Sequence, residues 1–195
     1  MDVMIRKGHP SDADVAAPLI LSAAEALITA VFGHNDKQTA LNYLMHAWEH
    51  GDGQYGCHHH WVATQEDKPL GVVTAWHTKL GAAFDRATLD SITSFFSMDE
   101  AISILMRNQT IAVKLTPPTP TELMIGHVAV VASAQGLGVG RKLIEHMVDY
   151  GITLNKQKVV LDVELKNTAA IRFYQRLQFN EDSVNGSFVR FERLL

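Results

Sequence analysis

The spacing of apolar residues predicts a succession of helices and strands along the 195-residue chain. Residues 4–7 have the composition of a short strand. Apolar positions three and four residues apart then predict a helix that begins at a Ser11 cap and ends at Gly33, which can supply a left-handed stop. The next periodic stretch predicts a second helix, from an Asp36 cap to about Gly51.

The middle of the chain carries a hairpin pattern followed by a less regular stretch. Residues 61–64 and 70–76 are strand-like and flank a turn over residues 66–69, which predicts an antiparallel hairpin. Residues 85–115 have helical spacing and are predicted as a helical insertion, although Ile111–Val113 is equally compatible with a strand. Three prolines in residues 116–120 predict a loop, because proline fixes φ and removes a backbone donor.

The C-terminal half predicts a strand, helix and strand in succession. A strand over 123–131, a glycine-rich turn, a helix over 140–154 and a strand over 159–163 form a βαβ unit, which should be right-handed with parallel strands. Asn167 is placed to cap a further helix. The pair Asn185-Gly186 predicts a closing β-hairpin.

Composition limits the class of protein. With 47% apolar residues the chain can bury one core, so a single domain over residues 1–195 is expected. A formal charge of −4 argues against a nucleic-acid surface, and no apolar run reaches the roughly 20 residues of a membrane span. Cys57 has no second cysteine to pair with, and residues 1–6 do not resemble a secretory signal. These features together predict a cytoplasmic protein with no membrane or nucleic-acid partner.

The segment Gln135–Arg141 lies where the predicted strand passes into the predicted helix. Its three glycines at alternate positions let backbone N–H groups and the positive helix end converge on an anion such as a pyrophosphate. A tight turn without a ligand is the simpler alternative. Three glycines nevertheless exceed what a turn alone requires.

Two known phosphate-binding patterns do not match this loop. A P-loop would continue from glycine to Lys-Ser/Thr, whereas Gly140 is followed by Arg141-Lys142. The dinucleotide fingerprint is met by Gly136-Leu137-Gly138 and by Asp162 about 20 residues later. It fails at Arg141, where the third glycine should stand, and too little chain follows for a second nucleotide-binding half.

The loop instead resembles the acetyl-coenzyme A site of the GNAT superfamily of N-acetyltransferases. Gln135–Gly140 resembles the signature Gln/Arg-x-x-Gly-x-Gly/Ala of that superfamily. Asn167–Phe179 resembles its segment Asn-x-x-Ala-x-x-Phe/Tyr-Tyr-x-x-x-Gly-Phe, with Gln178 in place of the usual glycine. The resemblance covers about residues 122–180 and is strongest to bacterial ribosomal-protein N-terminal alanine acetyltransferases.

The resemblance implies a fold, a cosubstrate and a set of contacts. The fold class is α/β of the α+β type, a mixed and mostly antiparallel sheet whose central parallel strands splay apart, flanked by helices. Acetyl-coenzyme A would lie in the splay, with its pantetheine arm bonded to the backbone of the first strand. The implied cofactor-binding residues are Val128, Ala129, Val130, Gln135, Gly136, Leu137, Gly138, Val139, Gly140, Arg141, Asn167, Ala170 and Tyr174.

Two residues are implied as catalytic. Tyr174, seven residues after Asn167, matches the tyrosine that protonates the departing thiolate; packing in the core is its alternative role. Asp162 stands five residues before Asn167, where the resembled alanine acetyltransferases carry a glutamate that acts as a base, and a structural carboxylate is equally compatible. Lesser candidates for the base are Glu122, Glu164 and His127.

The predicted function is transfer of an acetyl group to a primary amine of a small molecule or peptide. A coenzyme A-binding regulatory module without activity is the alternative, and a dinucleotide-dependent oxidoreductase is a more distant one. No metal site is predicted, because adjacent residues of a strand such as His58–His60 point to opposite faces. Cys57 is expected to be inert, and a homodimer is compatible with the superfamily.

Overall fold

The computed structural model of the protein describes residues 2–195. The strands are β1 (Met4–Lys7), β2 (His60–Gln65), β3 (Lys68–Trp76), β4 (Glu122–Val130), β5 (Lys158–Glu164), β6 (Asn180–Asn185) and β7 (Phe188–Leu194). The helices are α1 (Ala13–Ala23), α2 (Glu25–Phe32), α3 (Lys37–His50), α4 (Gly81–Phe95), α5 (Met98–Ala112), α6 (Val139–Thr153) and α7 (Thr168–Arg176).

The strands form one sheet in the order β1-β2-β3-β4-β5-β7-β6. Strands β4 and β5 pair in parallel, and the other adjacent pairs are antiparallel. The helix α6 connects the parallel pair, as the βαβ pattern of the sequence predicted. The predicted fold class, a mixed and mostly antiparallel sheet between helices, is confirmed.

Alternation along the strands divides the core into two layers. In β3, Val72 packs into the layer under α1, α2 and α3, whereas the next residue, Val73, packs into the layer under α6 and α7. In β2, Val62 packs into the first of these layers and Ala63 into the second. Successive strand residues point to opposite faces, so each strand of the sheet centre supplies both layers.

The N-terminal helical region differs from its prediction. Two helices replace the single helix expected to Gly33, because the backbone at Ala24 leaves the helical region (φ −150°, ψ 48°). The chain bends by 104° between α1 and α2, and Ile20 of α1 and Ile28 of α2 both pack in the same core layer. No single helix within residues 2–195 is long and apolar enough to cross a membrane. The bent pair of α1 and α2 is, by length and composition alone.

The predicted ends of that region are also corrected. Ser11 is not the helix cap; it lies in a short 3-10 turn, Pro10–Asp12, whose cap is His9. Gly33 does not take a left-handed conformation, since its φ is −97°. The left-handed residues are the next two, His34 and Asn35.

The remaining elements follow the sequence pattern closely. Asp36 caps α3 by accepting hydrogen bonds from two backbone N–H groups, and α4 and α5 occupy the segment predicted as a helical insertion. The hairpin β2–β3 turns at Glu66 and Asp67, both with positive φ. The last hairpin turns at Gly186, where φ is 59°.

Candidate active site

The parallel strands β4 and β5 separate along their length. Their register pairs join Glu122–Met124 to Lys158–Val160, and within the described chain no pair joins the two strands beyond that point. Strand β4 continues along β3 as far as Val130, and β5 continues along β7 as far as Glu164. The sheet therefore opens into a wedge at its centre, as the resemblance implied.

A β-bulge lies on the β4 side of this wedge. Thr74 faces Gly126 and Val72 faces Ala129, so two residues of β4 stand opposite Val73 alone. One of the two is His127, with φ 49°. The bulge lies beyond the last β4–β5 pair, and a bulged strand bends at the extra residue.

A cleft of about 670 Å³ opens beside the wedge, between the end of β4, the loop after it, the start of α6 and one face of α7. The loop is tied to the strand by a hydrogen bond, in which Gln135 Nε2 donates to the Val130 carbonyl at 3.1 Å. The residues that line the cleft are Val128, Ala129, Val130, Ala134, Gln135, Gly136, Gly138, Val139, Gly140, Arg141, Phe173, Arg176 and Leu177.

The three loop glycines serve two purposes. Gly136 and Gly138 have φ of 76° and 84°, and a Cβ on either would meet nothing within 4 Å, so a side chain there would occupy open space at the cleft. Residues with a Cβ rarely adopt this conformation. At Gly140 the requirement is packing, since a Cβ would lie 3.2 Å from the Phe173 ring.

The start of α6 provides an anion-binding position. Its cap residue, Gly138, has no side chain to occupy the N–H groups of the first turn, which have no partner within a helix. Those groups and the positive end of the helix dipole favour a phosphate. Arg141 and Arg176 line the same cleft, and the Arg141 guanidinium is exposed and paired with Glu145 at 2.7 Å.

Most of the predicted cofactor residues line the cleft, and four do not. Leu137 is 55% exposed beside it, and Asn167 caps α7 by accepting from the Ala170 N–H at 3.1 Å. Ala170 and Tyr174 also lie outside the lining residues. Three lining residues were not predicted as binding residues: Ala134, Phe173 and Leu177. Phe173 and Leu177 share with Arg176 the α7 face turned to the loop, which helical spacing from Phe173 could have indicated.

Tyr174 is buried next to the cleft. Its ring packs edge-on against Phe173 and Phe179, with centroid distances of 5.1 and 5.7 Å. Within residues 2–195 its hydroxyl has no hydrogen-bond partner. Burial raises the pKa of this phenol above its ordinary value, so the group stays protonated at neutral pH.

Asp162 lies on the β5 side of the wedge in a buried ionic cluster. Arg190 Nη1 stands 3.5 Å from Asp162 Oδ1, and Arg190 Nη2 stands 3.0 Å from Glu122 Oε2. Asp162 Oδ2 is buried with no partner in the described part of the chain. Burial raises the pKa of Asp162 more than Arg190 lowers it. Burial also opposes ionisation of Glu122, but the Thr119 N–H and Arg190 lower its pKa overall.

The histidine run next to Cys57 lies apart from the cleft. His58 and His59 belong to a 3-10 turn rather than to a strand, and His60 starts β2. His58 Nδ1 is 3.0 Å from Asp52, whereas His60 Nδ1 is bonded to the Gly56 carbonyl. Burial raises the pKa of the Cys57 thiol, which keeps it protonated.

Comparison with known proteins agrees with this geometry. The model of the Acetyltransferase (GNAT) family matches residues 23–179. An N-acetyltransferase from Staphylococcus aureus Mu50 superposes with a TM-score of 0.72 at 18% identity, covering 98% of this chain and 100% of the other. The protein yncA of Salmonella typhimurium, solved with its cofactor acetyl-CoA, superposes with a TM-score of 0.52 at 16% identity, covering 99% and 94%.

One curated relative matches over a shorter segment. The [Ribosomal protein bS18]-alanine N-acetyltransferase of Salmonella typhimurium is 32% identical over 77 residues, which are 40% of this chain. The match spans about half, 52%, of that relative. Because the family model covers most of the chain, the protein belongs to the GNAT acetyltransferase family, whose members bind acetyl-CoA.

Proposed function

We propose that the protein transfers the acetyl group of acetyl-CoA to a primary amine of a small molecule or peptide by direct attack. The observation that carries the proposal is the wedge between β4 and β5, which opens beside the glycine loop at the start of α6. An extended pantetheine arm fits between separated strands, and a pyrophosphate fits the helix start. Both binding features meet in one cleft.

The cofactor contacts proposed on β4 are made by its backbone. Ala129 and Val130 pair with β3 through one edge of the strand, which leaves the opposite edge free beside the wedge. The pantetheine amides bond to that free edge at Val128 and Val130. A neighbouring N–H of the same strand stabilises the thioester oxygen as negative charge develops on it.

Tyr174 is proposed to donate the proton that the leaving group needs. As the amine nitrogen bonds to the carbonyl carbon, the carbon–sulfur bond breaks and the thiolate takes the Tyr174 hydroxyl proton. The raised pKa of the phenol keeps that proton in place before the reaction. The hydroxyl has no competing partner among the described residues, and solvent then restores its proton.

Asp162 is proposed to receive the proton that the amine loses. Its Oδ2 atom is buried and unpartnered at the β5 side of the wedge, and burial raises its pKa toward that of a useful base. Arg190, at 3.5 Å from Oδ1, holds the carboxylate in place. A water molecule carries the proton across the remaining distance.

Asp162 and the name of the curated relative support a primary amine as the proposed acceptor. A carboxylate at the wedge favours an amine over an anionic nucleophile, and the relative named above acts on an alanine of a ribosomal protein. We therefore test a peptide that begins with alanine, together with spermidine and free lysine. We propose that the acceptor of this chain is one of these types of primary amine.

Release of the coenzyme A thiol measures this activity directly. Purified protein with acetyl-CoA should release thiol faster when an acceptor is added, with saturation in both substrates. The variant Gly138→Trp is the control, because its side chain would occupy the cleft. Tight binding of acetyl-CoA without turnover of any acceptor would instead identify a regulatory coenzyme A-binding module.

A further inference from the structure

The bulge residue His127 has an unusual backbone and an unusual environment. A φ of 49° costs a residue with a Cβ roughly 1–2 kcal/mol, yet a histidine occupies this position. Its ring stacks on Tyr55 at 5.3 Å and lies parallel to the His60 ring at 6.0 Å. The bulge thus directs an imidazole onto the sheet face covered by α1 and α3, next to the wedge.

Both imidazoles contain a buried nitrogen without a partner. His60 Nδ1 is 2.8 Å from the Gly56 carbonyl, which only accepts, so Nδ1 carries the hydrogen and Nε2 is left with a lone pair. Among residues 2–195, His60 Nε2 and His127 Nδ1 are both buried and unpartnered. Burial lowers the pKa of His60 to about 3 and that of His127 to about 4, so both rings are neutral at pH 7.

A third unpartnered atom lies across the wedge on the same face of the sheet. The strand registers pair His60 with Thr74, Thr74 with Gly126, and Asp162 with Arg190. Gly126 and Asp162 each stand two residues beyond the last β4–β5 pair, Met124–Val160, so these five residues form one row that the wedge interrupts between Gly126 and Asp162. Residues in one row point to the same face, so Asp162 shares it with His60, and the ring contacts of His127 with Tyr55 and His60 bring His127 to that face as well.

The donors of this row are already occupied. Thr74 Oγ1 donates to the His59 carbonyl, and Arg190 donates to Glu122 and to the Thr116 carbonyl. Of the atoms left without partners, His60 Nε2 and an ionised Asp162 Oδ2 only accept, and His127 Nδ1 accepts in the tautomer that carries its hydrogen on Nε2. A ligand that satisfies them must offer several N–H donors, as a primary amine does and a carbonyl, carboxylate or phosphate does not.

We propose that His127 Nδ1 accepts a hydrogen bond from the acceptor amine and holds its nitrogen at the β4 side of the wedge, with His60 Nε2 as a second acceptor. This role rests on the proposed function and adds the residue that selects the acceptor. A neutral ring attracts the N–H group without repelling a cationic substrate. With Asp162 on the opposite side, the amine nitrogen is held on the line of attack.

Two coenzyme A analogues test this role without knowledge of the natural acceptor. In one, the sulfur carries CH₂–CO–NH–CH₃, and in the other CH₂–CO–CH₂–CH₃, so that they differ by an N–H group in place of a methylene. Calorimetry gives the ratio of their dissociation constants. The wild-type protein should bind the amide about fivefold more tightly, as expected for one hydrogen bond.

The variants separate the role of the nitrogen from that of the fold. In His127→Gly, which keeps the positive φ without strain, the preference for the amide should disappear while the ketone affinity changes less than about twofold. In His127→Asn, whose Oδ1 can replace Nδ1 and which tolerates this backbone, much of the preference should return. An unchanged preference in His127→Gly would overturn the proposal.

A measurement on the wild-type protein gives an independent answer if a variant does not fold. The ¹⁵N resonance of His127 Nδ1 should differ between the amide and ketone complexes, whereas that of the exposed His9 should not. Identical His127 resonances would overturn the role of His127. Failure of both analogues to bind would refute the cofactor site itself, which is a different result.

Discussion

Met124 and Val160 face each other at the last register pair of the parallel strands β4 and β5. Beyond this pair each strand keeps only its antiparallel neighbour, and the sheet opens. Asp162 lies on the β5 side of this opening and His127 on its β4 side. The unpartnered buried atoms of these two residues lie at the opening, and the glycine loop lines the cleft beside it. Together they make the centre of the sheet, which is usually packed, a candidate active site.

Removal of the Tyr174 hydroxyl should reduce catalysis without affecting the fold. In Tyr174→Phe we expect kcat to fall about 100-fold while the dissociation constant for acetyl-CoA stays the same. The variant loses a proton donor but keeps the cofactor contacts. The melting temperature should be unchanged, since the hydroxyl is not bonded within residues 2–195. Tyr150→Phe, on the outer helix α6, is the matched control. An unchanged kcat in Tyr174→Phe would remove this residue from the mechanism.

Loss of Arg190 should destabilise the protein. Arg190 and Glu122 are 6% and 8% exposed, so Arg190→Met leaves Asp162 buried without a counter-charge and leaves Glu122 with Lys158, at 3.6 Å, as its remaining cationic partner. We expect the free energy of unfolding to fall by about 3 kcal/mol in chemical denaturation. The exposed pair of Lys37 with Glu25 is the comparison, and Lys37→Met should cost less than about 1 kcal/mol. Similar losses in the two variants would contradict the buried cluster.

Stability should decrease as the pH falls below about 6.5, in part because of His60. In the unfolded chain His60 takes up a proton near its ordinary pKa of 6.5, whereas burial in the folded protein lowers its pKa to about 3. The unfolded state therefore binds more protons in this window, and at pH 5 the loss is about 2 kcal/mol.

Denaturation of wild type and His60→Gln at two pH values isolates this contribution. Between about pH 7.5 and pH 5 the variant should lose about 2 kcal/mol less stability than the wild type. Other histidines with a lowered pKa destabilise both proteins equally at low pH, so their contribution cancels when the two losses are compared. Equal losses would show that His60 is protonated in the folded protein.

Local patterns predicted most of the fold. The period-2 and helical spacings, the Asp36 cap and the glycine loop each depend on neighbouring residues, so they are readable in sequence. The bend at Ala24 is not, since it depends on how α2 returns to a core formed by distant strands. The resemblance, rather than spacing, indicated the wedge.

The candidate site also has one part that the sequence predicts and one part that it does not. The residues from Val128 to Arg141 that line the cleft lie close together in the sequence, so they can be recognised as a motif. The row from His60 to Arg190 joins five strands that are far apart in sequence, and its chemistry depends on the sheet register. The bulge that turns His127 toward this face has no simple sequence signal, because histidine, although enriched at positive φ, more often has negative φ.

Calorimetric titration with acetyl-CoA tests the central claim most directly. The wild-type protein should bind acetyl-CoA and not NADH, and Gly138→Trp should weaken that binding at least tenfold, a difference of about 1.4 kcal/mol or more. Gly81→Trp is the matched control, because Gly81 also has positive φ and open space around it but lies outside the cleft. Selective binding lost only in Gly138→Trp is the predicted result; absence of binding by the wild-type protein, or equal binding by both variants, would contradict the site.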